Sequence, residues 1–148
     1  MVGAQCPPTT VRHSFSHARG ERMTDGNDRA ITLLVVDDQD LIHRLVQAAV
    51  ESLASQLLLA CSGDDALRTL EEEELPDGIV LDYSMPGKDG VETLQRIREL
   101  PGGAAVPVIM LTGWDQTAIR KAAEGLDVYC FMTKPFSPAA LCRSVEEM

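Results

Sequence analysis

Short apolar runs alternate with longer segments of helical period from Ala30 to the last residue. Ile31-Thr32-Leu33-Leu34-Val35-Val36 is β-branched and continuous, the pattern of a strand buried on both faces. Leu41, Ile42, Leu45, Val46, Ala49, Val50 and Leu53 then recur at the spacing of an amphipathic helix. The cycle repeats. Leu57 to Ala60 predicts a second strand, and Asp64 to Glu74 a helix with Ala66, Leu67 and Leu70 inward. Gly78 to Leu81 predicts a third strand, and Val91, Leu94, Ile97 and Leu100 a third helix stopped by Pro101-Gly102-Gly103. Val106 to Leu111 and Val128 to Met132 predict the fourth and fifth strands, with a helix over 116–125 between them. Ser137-Pro138 is a good N-cap and N1 pair for a last helix with Leu141 and Val145 inward. Five βα units joined by short loops imply an α/β protein, a parallel sheet with helices on both faces.

The first 29 residues break this pattern. They hold few large apolar residues, show no period, and carry four arginines against three acids. Such a segment buries too little apolar surface to offset its ordering entropy, so the expected organisation is a disordered extension over 1–29 and one domain over 30–148. Met23 offers a second start site close to the first predicted strand. The extension has no apolar stretch of the kind a secretory signal needs.

Charge and composition narrow the function. The chain has 148 residues, 45% of them hydrophobic, and a formal net charge of −10. That suits one packed core and argues against a nucleic-acid binder, which needs clustered Lys and Arg. No apolar run approaches the length of a membrane span. Cys6, Cys61, Cys130 and Cys142 lie far apart with no C-x-x-C pair, so they read as thiols in a reducing cytoplasm, with Cys61 and Cys130 as small core residues.

In open parallel sheets, ligands sit beyond the C-terminal ends of the strands. Asp37 and Asp38 end the first strand, Asp82 ends the third, Thr112 follows the fourth, and Lys134-Pro135 follows the fifth. Each has an ordinary explanation by itself: a helix cap, a β-former, a solvated loop lysine. Together they fall on one edge. Converging carboxylates repel, and a hard divalent cation resolves that cost; Mg²⁺ suits a few carboxylates and phosphate oxygens. With an ammonium and a hydroxyl alongside, the set points to a site for a phosphoryl group.

The stretches LLVVDDQDLIHRLV, SGDDALRTL, DGIVLDYSMPGKDGVETLQRIR, PVIMLTG and FMTKPFSPAAL together resemble the CheY-like receiver domain of two-component response regulators. The spacings also fit that family: 44 positions from Asp38 to Asp82, 30 from Asp82 to Thr112 and 22 from Thr112 to Lys134. The most specific stretch is Asp82-Tyr83-Ser84-Met85-Pro86, with Gly90 closing the loop. The resemblance implies a doubly wound (βα)5, flavodoxin-like, three-layer sandwich with a parallel five-stranded sheet of order 2-1-3-4-5. It implies that Asp82 is the phosphoacceptor. Asp37, Asp38, Asp82 and the backbone carbonyl of Ser84 would hold Mg²⁺. Lys134 and Thr112 would contact the phosphoryl group, Thr112 and Phe131 would form the switch, and the Lys134-Pro135 bond would be cis. The implied partners are a histidine kinase or histidine phosphotransfer protein and a downstream protein target on the face of helix four, strand five and helix five. Homodimerisation on phosphorylation fits the same face. The implied whole is a cytoplasmic, stand-alone signalling switch, not an enzyme, touching neither nucleic acid nor membrane.

Some positions stand apart. Ser84 and Trp114 lie two residues after Asp82 and Thr112, positions that in that family border the path of a hydrolytic water; a bulky Trp114 would either shield the acyl phosphate or fold outward as a partner-contact or packing residue. His43 is expected to face outward on the first helix, and Glu71 to Glu74 to form a solvated face. Two other readings compete: a phosphorylation-independent adaptor that keeps only the fold, and a Mg²⁺-dependent aspartyl-phosphate phosphohydrolase. The intact Asp38, Asp82, Thr112 and Lys134 set argues against the first. Ser84, standing where the hydrolase needs a second acid, argues against the second.

Overall fold

The computed structural model describes residues 11–14, 31–54, 56–113 and 116–148. Six strands form one sheet: β1 (Val11–Ser14), β2 (Thr32–Val36), β3 (Gln56–Ala60), β4 (Gly78–Asp82), β5 (Val108–Thr112) and β6 (Cys130–Thr133). Five helices alternate with them: α1 (Asp40–Val50), α2 (Gly63–Glu72), α3 (Gly90–Glu99), α4 (Gln116–Ala122) and α5 (Pro138–Glu147). The spatial order is β1-β3-β2-β4-β5-β6. The last five strands are parallel and take the doubly wound order 2-1-3-4-5 among themselves.

The sixth strand is a departure from the sequence reading. β1 comes from the extension expected to lack structure and pairs antiparallel with β3, Val11 opposite Leu59 and Ser14 opposite Gln56. Its sequence, VRHS, carries no alternation to announce it. An edge strand supplies an unpaired row of N–H and C=O groups, and backbone pairing with it demands little of side-chain pattern.

Side-chain alternation divides the core in two. Leu34, Val36, Ile79, Leu81, Val108 and Met110 face the side that also buries Ala66, Leu70, Val91, Leu94 and Ile97 of α2 and α3. Leu33, Val35, Val80, Ile109 and Leu111 face the side of Ile42, Val46, Val50, Leu141 and Val145 of α1 and α5. β4 and β5 are buried at every position, as central parallel strands should be. Caps fix where the helices begin. The Ser62, Asp89 and Ser137 side chains accept hydrogen bonds from the N–H groups of Asp65, Glu92 and Ala140.

Three details correct the sequence reading. α1 turns its Ile42-Val46-Val50 stripe inward, which carries His43 in with it and leaves Leu41 and Leu45 exposed. One apolar stripe cannot cover both flanks of the row, and the stripe that fits the sheet wins. His43 is therefore a core residue, not a surface one. Cys61 is disulfide-bonded, against the expectation of a thiol, whereas Cys130 and Cys142 are free. The last strand starts two residues later than its apolar run, at Cys130, because Asp127 takes a positive φ of 56° and Tyr129 joins the ladder only through its N–H to Val108 O. Among the described residues no helix is long and apolar enough to cross a membrane.

Candidate functional site

Asp37, Asp82 and Lys134 are held at the strand ends by the backbone around them. Asp37 follows β2, and its N–H donates to Ala60 O of β3. Asp82 is the last residue of β4, and the Tyr83 N–H extends the ladder to Leu111 O of β5. The Lys134 N–H donates to Thr112 O at 2.7 Å, tying the ends of β6 and β5 together. Gly90 closes the loop after β4. A Cβ there would lie 2.6 Å from Asp82 O and 2.7 Å from Tyr83 Cα, so only glycine lets α3 start this close to the strand end.

The acids and the lysine converge. Asp37 is fully buried, Asp82 is 2% exposed, and Asp38 is exposed at the rim. One carboxylate oxygen from each of the three lies within 4.8 Å of the others. Lys134 Nζ bridges the buried pair, 2.8 Å from Asp37 Oδ2 and 3.1 Å from Asp82 Oδ1. The Gln39 N–H donates to Asp37 Oδ1 at 2.8 Å and the Ser84 N–H to Asp82 Oδ1 at 3.3 Å, which aim the two carboxylates.

The electrostatics follow from that packing. Burial and then the Asp37 charge push the Asp82 carboxyl up from 3.8 to about 6, although Lys134 and the Ser84 N–H pull it down. For Lys134, burial favours the neutral amine, but the hydrogen bonds and charges of Asp37 and Asp82 outweigh it and raise the pKa. The lysine is thus a firm cation between two acids, one of which is strained toward its neutral form. Hard oxygen ligands, two of them buried and mutually repelling, are a donor set that fits Mg²⁺.

Thr112 and Phe131 complete the set. Thr112 is fully buried, and its hydroxyl has no hydrogen-bond partner among the described residues. A buried hydroxyl without a partner is uncommon and costs about 1–3 kcal/mol. Thr112 is in register with Thr133, and Met110 with Phe131. Thr112, Met110 and Phe131 therefore share the α2–α3 side of the sheet by alternation. Phe131 is half-buried against that core, with the Arg120 guanidinium over its ring at 4.6 Å. The Lys134-Pro135 bond is cis, as expected. Ser84 is exposed at the mouth of the site, and Trp114 lies outside the described residues.

Sequence reasoning did not find Arg120, Gln116 or Arg98. Gln116 donates to Thr133 Oγ1, beside Lys134. The Arg98 side chain donates to the carbonyls of Leu126, Gly103, Val106 and Asp127 at 2.7–2.9 Å, binding together the loops that lead into β5 and β6. A helical Arg or Gln among other polar residues carries no signal of such partners. Lys88, in the loop after Asp82, pairs with Asp64 of α2 at 2.6 Å.

Residues 33–146 match the response regulator receiver domain, and the chain belongs to that family. It is 35% identical over 116 residues to the cyclic di-GMP phosphodiesterase response regulator RpfG of Xanthomonas campestris pv. campestris, covering 77% of this chain and 30% of that protein. It is 36% identical over 115 residues to an uncharacterized 14.6 kDa protein of Leptolyngbya boryana, covering 78% of this chain and 87% of that one. Among solved structures, a putative response regulator from Chloroflexus aurantiacus superposes with a TM-score of 0.73 at 28% identity, over 80% of this chain and 97% of that one. The chemotaxis protein CheY4 of Vibrio cholerae, at 23% identity, shares the fold with a TM-score of 0.74 over 80% of this chain and 98% of its own. The chain spans about half or less of several longer relatives, 51% of the Rhizobium meliloti phosphate regulator PhoB and 43% of the Bacillus subtilis regulator PhoP. Receiver domains are signalling modules that bind Mg²⁺ at an acidic pocket and interact with histidine kinases or phosphotransfer proteins and with downstream targets.

Proposed function

We propose that this chain is a phosphorylation-controlled switch that accepts a phosphoryl group on Asp82 from a histidine kinase or histidine phosphotransfer protein. One observation carries the reading. A buried, mutually repelling pair of carboxylates, bridged by a lysine, lies at the same sheet edge as a buried hydroxyl with no partner among the described residues. Each of these is unfavourable until an anion with several oxygens and a divalent cation arrive together.

The chemistry is a group transfer. An Asp82 carboxylate oxygen forms a bond to phosphorus as the P–N bond to the donor imidazole breaks, and the imidazole leaves with its electron pair. Asp37, Asp38, Asp82 and the Ser84 carbonyl would hold Mg²⁺, which when bound neutralises charge on the phosphoryl oxygens. Lys134 stays with Asp37 and turns its remaining donors to those oxygens. The Thr112 hydroxyl donates to the phosphoryl group and acquires the partner it lacks. Its inward movement vacates space on the side of the sheet it shares with Phe131, and the ring follows. The altered face of α4, β6 and α5 then meets a downstream protein or a second copy. The chain works in the cytoplasm as a receiver and catalyses at most its own phosphorylation and dephosphorylation.

Intact mass after incubation with Mg²⁺ and acetyl phosphate tests this. One added phosphoryl group that requires Mg²⁺ and disappears in Asp82→Asn is the expected result. No gain with the small donor, and no binding of beryllofluoride with Mg²⁺, would favour the phosphorylation-independent adaptor.

A further inference from the structure

Four side chains join α4 to the switch strand, two from each. Gln116, the first residue of α4, donates through Nε2 to Thr133 Oγ1 on β6, one position before Lys134. Arg120 lies one turn further along α4, and its Nη2 donates to Gln116 Oε1 at 3.3 Å. The same guanidinium sits over the Phe131 ring at 4.6 Å from the centroid. Arg120 is exposed, and Phe131 is half-buried. A planar cation held by a second bond over an aromatic face is a restrained contact: the ring cannot rotate away without giving up the guanidinium.

We infer that Arg120 is a positioning residue that latches Phe131 in the half-buried orientation it holds here and so sets the threshold of the switch. The inference rests on the reading that Phe131 turns inward when Asp82 carries a phosphoryl group. Thr112 and Phe131 share one side of the sheet, so the ring's inward turn and the hydroxyl's movement toward the phosphoryl group are one event. That event breaks the Arg120 contact. The contact therefore opposes phosphoryl binding although Arg120 belongs to α4, outside the acid pocket. Its sign separates it from simple electrostatics, because removing a cation near an anion site should weaken anion binding, whereas removing the latch should strengthen it.

Beryllofluoride binding in the presence of Mg²⁺ provides the test, measured on the full chain, on Arg120→Ala, and on both again in a Phe131→Leu background. The expected result is about two- to fivefold tighter binding for Arg120→Ala, the factor that an exposed cation–π contact is worth. In the Phe131→Leu background Arg120→Ala should then change nothing. A role confined to stability would move the melting temperature and leave this coupling at zero. Equal or weaker binding by Arg120→Ala, or the same change in both backgrounds, overturns the latch. Failure of the unmodified chain to bind beryllofluoride overturns the proposed function, and the latch with it. The Phe131 ring resonances of the unliganded protein separate the two failures: if they are unmoved by Arg120→Ala, the latch fails on its own account.

Discussion

At the N-terminal ends of the strands, polar groups are matched. Arg98 satisfies four carbonyls of the loops entering β5 and β6, and Asp77 accepts from the Thr32 N–H at 2.9 Å while its own N–H donates to Thr32 O. At the C-terminal ends, polar groups are mismatched. Two buried acids share one lysine, and the Thr112 hydroxyl has no partner among the described residues. One sheet thus carries a finished end and an unfinished one. The first is built for stability, and the second holds free energy that a ligand can release.

The sharpest way to break the comparison is to damage the finished end. Arg98→Met leaves four carbonyls short of a donor, three of them in half-buried bonds and one exposed, and urea unfolding should show a loss of about 2–4 kcal/mol. Phosphoryl uptake at a permissive temperature should persist, because no Arg98 partner touches the acid pocket.

The opposite change at the unfinished end should stabilise. The folded Asp82 pKa is raised from 3.8 to about 6. The stability this group contributes is therefore fully present below pH about 4 and lost as pH rises through about 6. In metal-free buffer Asp82→Asn should be more stable than the unmodified chain at pH 7, by up to about 3 kcal/mol, and should lose that advantage near pH 4. Equal stability at both pH values would show that Lys134 fully compensates the acid pair.

Thr112→Val is the smallest change. It removes the orphan hydroxyl at nearly constant volume, so thermal unfolding should show a gain of about 1 kcal/mol. Beryllofluoride affinity should fall about tenfold, as expected for losing one hydrogen bond to a charged group. A loss of stability instead would mean that the hydroxyl already has a partner in solution.

The two ends were not equally legible in the sequence. The unfinished end announced itself, because Asp37, Asp82 and Lys134 each close an apolar run and the runs fix which edge they share. The finished end did not. Arg98 is one of several polar residues on α3, and its acceptors are backbone carbonyls that any sequence supplies. The same holds for β1, whose pairing with β3 is a backbone ladder, and for Arg120, whose partner is the face of a ring on another element. The inward turn of His43 was hidden for a different reason. Leu41 and Leu45 are better apolar residues, and only the packing of α1 on the sheet decides against them. What the sequence states is a residue's chemistry and period; what it withholds is which backbone group or ring will lie opposite.

β1 has a bearing on solution behaviour. Without it, β3 would present the outward N–H and C=O groups of the run QLLLA to solvent, a template on which another chain could pair. With it, the outermost strand of that side is only four residues long and bears an arginine and a histidine in its sequence. The opposite margin, β6, is equally short. Brevity at both margins leaves little for a stray strand to extend. A chain without residues 1–22 would keep every residue of the acid pocket and lose that cover, opening the outer edge of β3 to pairing with a second chain.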